Sequence, residues 1–127
     1  MLLLLSCKSE EIAPELQNFY GKFFISEIHT ERYTTSSNEG PTYTVQYDQQ
    51  KVMRFFADGT VEYFVVIPPA AVKDGFFIIG SFTMEYPSVR LYGLGYNKPT
   101  FTLHTDKQEL YFTLDGLLYT ETDQEFR

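Results

Sequence analysis

Few residue types in this chain are equipped for chemistry. Histidine occurs only at His29 and His104, and neither has a second histidine or a cysteine at metal-ligand spacing. A metal there would need distant carboxylates, so both are expected as half-exposed strand residues. No G-x-S-x-G elbow, H-E-x-x-H pair or P-loop occurs, which leaves nucleophilic, zinc-hydrolytic and phosphoryl-transfer chemistry without a motif. Asp106, Glu109, Asp115, Glu121, Asp123 and Glu125 make the C-terminal third acidic. They lack the spacing and glycine of an EF-hand loop and read as a solvated face. Two carboxylates meeting in space could act as acid and base, a juxtaposition that sequence does not display. The expectation is no catalytic residue, no metal and no cofactor, with an enzyme ranked behind two non-catalytic readings.

Binding chemistry is better supplied. The chain has 10 Tyr and 12 Phe but no Trp, and tyrosine offers an apolar ring with a hydroxyl tip, the combination that lines pockets for amphipathic ligands. Tyr43, Phe55, Tyr63, Arg90, Tyr92 and His104 are the candidate ligand-binding residues, the rings excluding water while hydroxyls and Arg90 or His104 fix orientation. The other source of so many tyrosines is ordinary strand packing. Gly80, Gly93 and Gly95 are open to two readings as well, since strand glycines admit a ligand or a second backbone and also serve barrel corners. Leu94-Gly95-Tyr96-Asn97-Lys98-Pro99 reads as a connection, because no helix follows it to hold a phosphate.

The elements that must position these residues read as strands. At 127 residues the chain is the size of one domain. Pro14 to Phe19 is compatible with one helical turn, with proline tolerated at its start. Tyr20 to Glu31 then reads as a long first strand, and Thr34 to Pro41 as a loop. In the middle, KVMRFF and TVEYFVVI flank Ala57-Asp58-Gly59, where Asp-Gly provides the positive φ of a tight hairpin. Val61, Tyr63, Val65 and Ile67 share one face, expected to point to the core together with Met53 and Phe55. Pro68-Pro69 ends that arm and Lys73-Asp74-Gly75 turns the chain into FFIIGSFTM, in which Gly80 predicts a bulge or bend. SVRLYGL, TFTLHT, ELYFTL and LLYTET follow, the last two joined by Asp115-Gly116. With Tyr43 to Tyr47 this makes eight or nine short strands, as in an antiparallel barrel or a β-sandwich. Seventeen acidic against ten basic residues give a net charge of −7, which repels phosphate backbones and argues against nucleic acid as a partner.

The single cysteine excludes an intrachain disulfide and a multi-cysteine metal site. Leu4-Leu5-Ser6-Cys7 resembles the lipobox of bacterial lipoproteins. The resemblance implies removal of residues 1–6 as the end of a signal peptide, a diacylglycerol on Cys7, and a tether over residues 7–15 before a domain spanning 16–127. The apolar run covers only Met1 to Leu5 with no preceding Lys or Arg, so the signal is expected to begin upstream. Acyl chains contribute about 0.8 kcal/mol per buried CH₂ and together anchor a soluble domain to a bilayer. Lys8-Ser9-Glu10-Glu11 is similar to the acidic tags of some surface-exposed outer-membrane lipoproteins, and equally suits a solvated tether.

Phe19-Tyr20-Gly21-Lys22-Phe23 and Phe55-Phe56-Ala57-Asp58-Gly59-Thr60 resemble two segments of the bacterial lipocalin-like lipoproteins: a first strand carrying Gly-x-Trp, with Phe23 at the tryptophan position, and a Phe-x-x-Asp-Gly-Thr hairpin. The resemblance spans roughly residues 16 to 120. It implies an up-and-down barrel of about eight strands, hollow around one small ligand or filled by side chains. The functions expected are non-covalent binding of a small apolar or amphipathic molecule at the cell envelope, or an interaction module with a solid barrel that contacts a protein or polysaccharide.

Overall fold

The computed structural model describes residues 16–35, 40–68, 77–106 and 109–126. Its strands are β1 (Phe23–Ser26), β2 (His29–Thr35), β3 (Tyr43–Phe55), β4 (Thr60–Val66), β5 (Phe77–Glu85), β6 (Ser88–Tyr92), β7 (Thr100–Thr102), β8 (His104–Asp106), β9 (Glu109–Leu114) and β10 (Leu117–Thr122). One sheet runs β7-β6-β5-β4-β3-β1-β10-β9-β8, with β2 added on β3. All its ladders are antiparallel. The two ends of this order, β7 and β8, are consecutive in the chain with only Leu103 between them. The sheet therefore returns on itself as a nearly closed barrel rather than splitting into two packed sheets.

The ten segments amount to eight staves. From Ile25 to His29 the chain advances four residues while the partner goes back three, from Val52 to Gln49, so β1 and β2 are one strand interrupted by a β-bulge. Ser26 and Gln50 repair the break: the Lys51 N–H donates to Ser26 Oγ at 2.8 Å and Gln50 Nε2 donates to the Ser26 carbonyl at 3.0 Å. β7 and β8 are likewise one run of chain, but they pair with different neighbours, β6 and β9, and meet at Leu103, whose N–H donates to the Pro87 carbonyl at 2.7 Å. Tyr43–Tyr47, read from sequence as a strand of its own, is continuous with Lys51–Phe55 in the 13-residue β3. Beyond Gln50, where β4 stops pairing, β2 and β3 continue as a two-stranded ribbon.

The two Asp-Gly dipeptides make different turns. At the β9–β10 hairpin both Asp115 (φ 55) and Gly116 (φ 79) are left-handed, as a two-residue type I′ turn requires. At the β3–β4 hairpin only Gly59 is (φ 93). There the Gly59 N–H donates to the Phe56 carbonyl at 3.0 Å and the Phe56 N–H to the Thr60 carbonyl at 2.9 Å, a type I turn closed by a left-handed glycine. Asp58 keeps its right-handed backbone by accepting from the Thr60 N–H at 3.0 Å and its hydroxyl at 2.7 Å. Those hydrogen bonds to Thr60 hold the Asp58 carboxyl below its usual range.

Gly80 forms no bulge: its ladder to β4 is regular, Val61 facing Gly80 and Glu62 facing Ile79. A Cβ there would stand 2.5 Å from the Tyr92 carbonyl oxygen. The glycine permits a close approach of β5 to β6.

Alternation sets the core as expected at Met53, Phe55, Val61 and Tyr63, all buried in one cluster, with Val65 packed against it. Ile67, past the end of β4, is 37% exposed. The other face of β4 is buried too. Phe64 and Val66 join Val52, and the returning tail lays Phe126 on Phe64 and Phe23 at ring separations of 5.5 and 5.1 Å. Beside it Arg54 sits 4.3 Å from the Phe23 ring centre and ion-pairs with Glu62 at 2.6 Å. The expected helical turn reduces to one hydrogen bond, Phe19 N–H to the Leu16 carbonyl at 3.0 Å; Pro14 and Glu15, like Pro69, Lys73-Asp74-Gly75 and the Cys7 segment, lie outside the described residues.

Candidate functional site

One end of the barrel is closed from within. Leu16, Phe19 and Tyr20 pack under the sheet, with the Phe19 ring 4.7 Å from Phe55, 5.4 Å from Phe24 and 6.4 Å from Phe82. Above this plug the lumen is filled by stacked rings: Phe101 on Phe112 at 3.9 Å and Phe112 on Tyr119 at 4.8 Å. Aromatic rings of this kind bring large apolar area and defined offset geometry. The interior is a packed core.

The opposite end is built differently. The alternation of β4 and of β10 that buries Val61 also turns Tyr63 and Tyr119 inward, and the β6–β7 connection drops Tyr96 between them, its ring 6.3 Å from that of Tyr63. Tyr119 is 0% exposed. The Tyr96 hydroxyl interacts with those of Tyr63 and Tyr119, yet the hydroxyls of Tyr96 and Tyr119 are buried with no aligned hydrogen-bond partner among the described residues. Burial is the largest cause that pushes all three phenols well above their ordinary range, and the Asp115 carboxylate adds to it in each case. Glu31 acts in the same sense on Tyr63. Across neutral pH these phenols are uncharged donors and acceptors.

A cleft of ≈ 570 Å³ opens beside Tyr96, lined by Gly95, Tyr96, Asn97, Lys98 and Thr100 from one side and by Thr113, Leu114, Asp115 and Gly116 from the other. Tyr96 also borders a smaller one of ≈ 200 Å³ shared with Arg90 and Tyr92. On β2, His29 Nε2 lies 3.0 Å from Glu31 Oε1 while its Nδ1 is buried without a partner among the described residues.

Of the six residues singled out from sequence, Tyr63 belongs to this cluster. Phe55 lies deeper, in the plugged half of the core. Arg90 and Tyr92 are on the outside of the wall, the guanidinium 5.5 Å from the ring centre, and His104 stacks on Tyr111 at 5.1 Å, also on the outside. Tyr43, 61% exposed, is at the start of β3 on the ribbon. The six are not brought together. The residues that do converge, Tyr96, Tyr119 and Asp115, include two whose signal was present: Tyr119 is in phase with Leu117 directly after the Asp-Gly turn.

The arrangement can hold a hydrogen-bonding molecule but displays no nucleophile with an adjacent base. Among the described residues no group of three or more His, Cys, Asp or Glu is placed to bind a metal, and no helix is long and apolar enough to cross a membrane. No family model, curated protein or solved structure matches the chain.

Proposed function

We propose that this domain binds a small amphipathic molecule non-covalently at the open end of its barrel, and that the protein is held at the outer membrane by a lipid on Cys7. The observation that carries the first part is a cleft of ≈ 570 Å³ at the barrel mouth, whose walls combine Tyr96 and Leu114 with Asn97, Lys98, Thr100, Thr113 and Asp115. A ligand with polar atoms for these side chains and an apolar part for Leu114 and the Tyr96 ring has partners for both in one cleft. Because stacked rings fill the lumen, the ligand rests at the mouth, with its apolar part against Leu114 and the Tyr96 ring.

Native mass spectrometry of the protein after exposure to an envelope extract is expected to show a retained small mass, and Tyr96→Ala, which removes the ring that lines the cleft, is expected to abolish the retention while leaving the far-UV spectrum unchanged. A clean apo mass in both proteins would overturn this reading. It would favour the second one, an interaction module, which the filled lumen supports.

The anchor rests on Leu4-Leu5-Ser6-Cys7 alone. Expression from the full gene with its upstream sequence is expected to yield a membrane-partitioning protein that begins at Cys7 and carries the mass of acyl chains. A soluble product with Met1 and an unmodified thiol would refute it.

A further inference from the structure

Resting on the mouth as the binding site, we infer that the polar part of the ligand is an uncharged polyhydroxyl group, a sugar or similar polyol, held between Tyr96 and Asp115. The donor set points there. Tyr96, Asn97, Lys98, Thr100, Thr113 and Asp115 face the same cleft and present an aromatic face, an amide, an ammonium, two hydroxyls and a carboxylate. Each of these bonds a hydroxyl, as donor or acceptor. A polyol has hydroxyls for every one of these groups and a C–H face for the ring.

Charge decides against head groups that carry a single net charge. An anion would meet Lys98, but it would also meet Asp115, whose carboxylate already acts on all three phenols. A cation would meet Asp115 but also Lys98. The two opposite charges on the rim offset one another, and a neutral head group brings no charge that must be desolvated. Space is available at the backbone as well: a Cβ built on Gly95 or on Gly116 would meet nothing within 4 Å, so the polyol can approach both turns closely.

The test uses three amphiphiles with one tail, octyl glucoside, octylammonium and octanoate, each kept below its micelle concentration and followed by the amide resonances of Gly95, Asn97 and Gly116 in the full chain. Octyl glucoside is expected to shift these resonances saturably, and Asp115→Asn to weaken that binding by roughly tenfold or more, the effect of losing one charge-assisted hydrogen bond. Asparagine tolerates the left-handed backbone of residue 115, so the turn survives the change. Glucoside binding that Asp115→Asn leaves untouched would overturn the placement. Saturation by octylammonium or octanoate with the glucoside inert would overturn the polyol class while leaving the mouth as a binding site. If all three are inert yet the envelope extract yields a bound mass, the polyol inference fails alone; if that mass is absent too, both fail.

Discussion

Phe55→Ala is expected to cost about 3–5 kcal/mol, the range for deleting a buried phenylalanine without collapse of the surrounding core. Phe55 is fully buried, with ring centres at 4.7 Å to Phe19, 5.1 Å to Phe82, and 6.1 to 6.2 Å to Phe24, Phe101 and Phe112. Those neighbours come from the plug segment and from four different staves, so none can move into the void without leaving another. The backbone at this position is committed too: the Phe55 carbonyl accepts from the Gly21 N–H at 2.7 Å. Against a total stability of roughly 5–15 kcal/mol for a domain, the loss should lower the denaturant midpoint by about a fifth or more. Tyr43→Ala, at an exposed site on the ribbon, is the control, with a change within about 0.5 kcal/mol. A Phe55→Ala loss below about 1 kcal/mol would mean that the rings do not pack as described.

Raising the pH is expected to unfold the barrel through its tyrosines. Tyr63, Tyr96 and Tyr119 have pKa values raised well above the unfolded value of 10.0, chiefly by burial, and Tyr20 is raised for the same reason. A group whose folded pKa is raised keeps its proton longer in the native state. Its contribution is fully present below pH 10 and is lost as the pH rises from the unfolded pKa toward the folded one, because the unfolded chain then binds fewer protons. Each such group removes about 1.4 kcal/mol per pH unit in that window, and the three at the mouth together roughly 4. Absorbance of tyrosinate should therefore rise in two stages: first the accessible phenols, then the mouth cluster in one cooperative step that coincides with loss of the β-sheet signal. A single smooth titration of all ten tyrosines with the barrel intact would show that the cluster is not buried.

Much of the architecture is legible along the chain. The alternation of β4 identifies Val61 and Tyr63 as inward, Asp58-Gly59 and Asp115-Gly116 mark two hairpins, and the spacing of short aromatic-rich strands indicates an antiparallel barrel or sandwich, all from local steric preferences and a period of two. Local rules go no further than the strand itself. They could not distinguish the two Asp-Gly turns, since one is decided by Asp58 capping Thr60 and the other by two left-handed residues in register. Nor could they reveal that the second face of β4 is buried, which depends on Phe126 returning from the far end of the sequence.

The site is where tertiary structure decides most. Tyr63 and Tyr119 are 56 residues apart and meet only because closure of the sheet turns β4 and β10 toward one lumen, while Tyr96 reaches them from a connection that carries no periodic signal. Sequence indicates that tyrosines face inward. Which of them share a hydroxyl cluster depends on stave tilt and on the course of the β6–β7 loop, distances across the barrel that no pattern along the chain encodes. The reverse holds at the other extremity. The case for an anchor at Cys7 is written wholly in a four-residue motif, because a lipid attachment signal is read as an extended segment and needs no fold to display it.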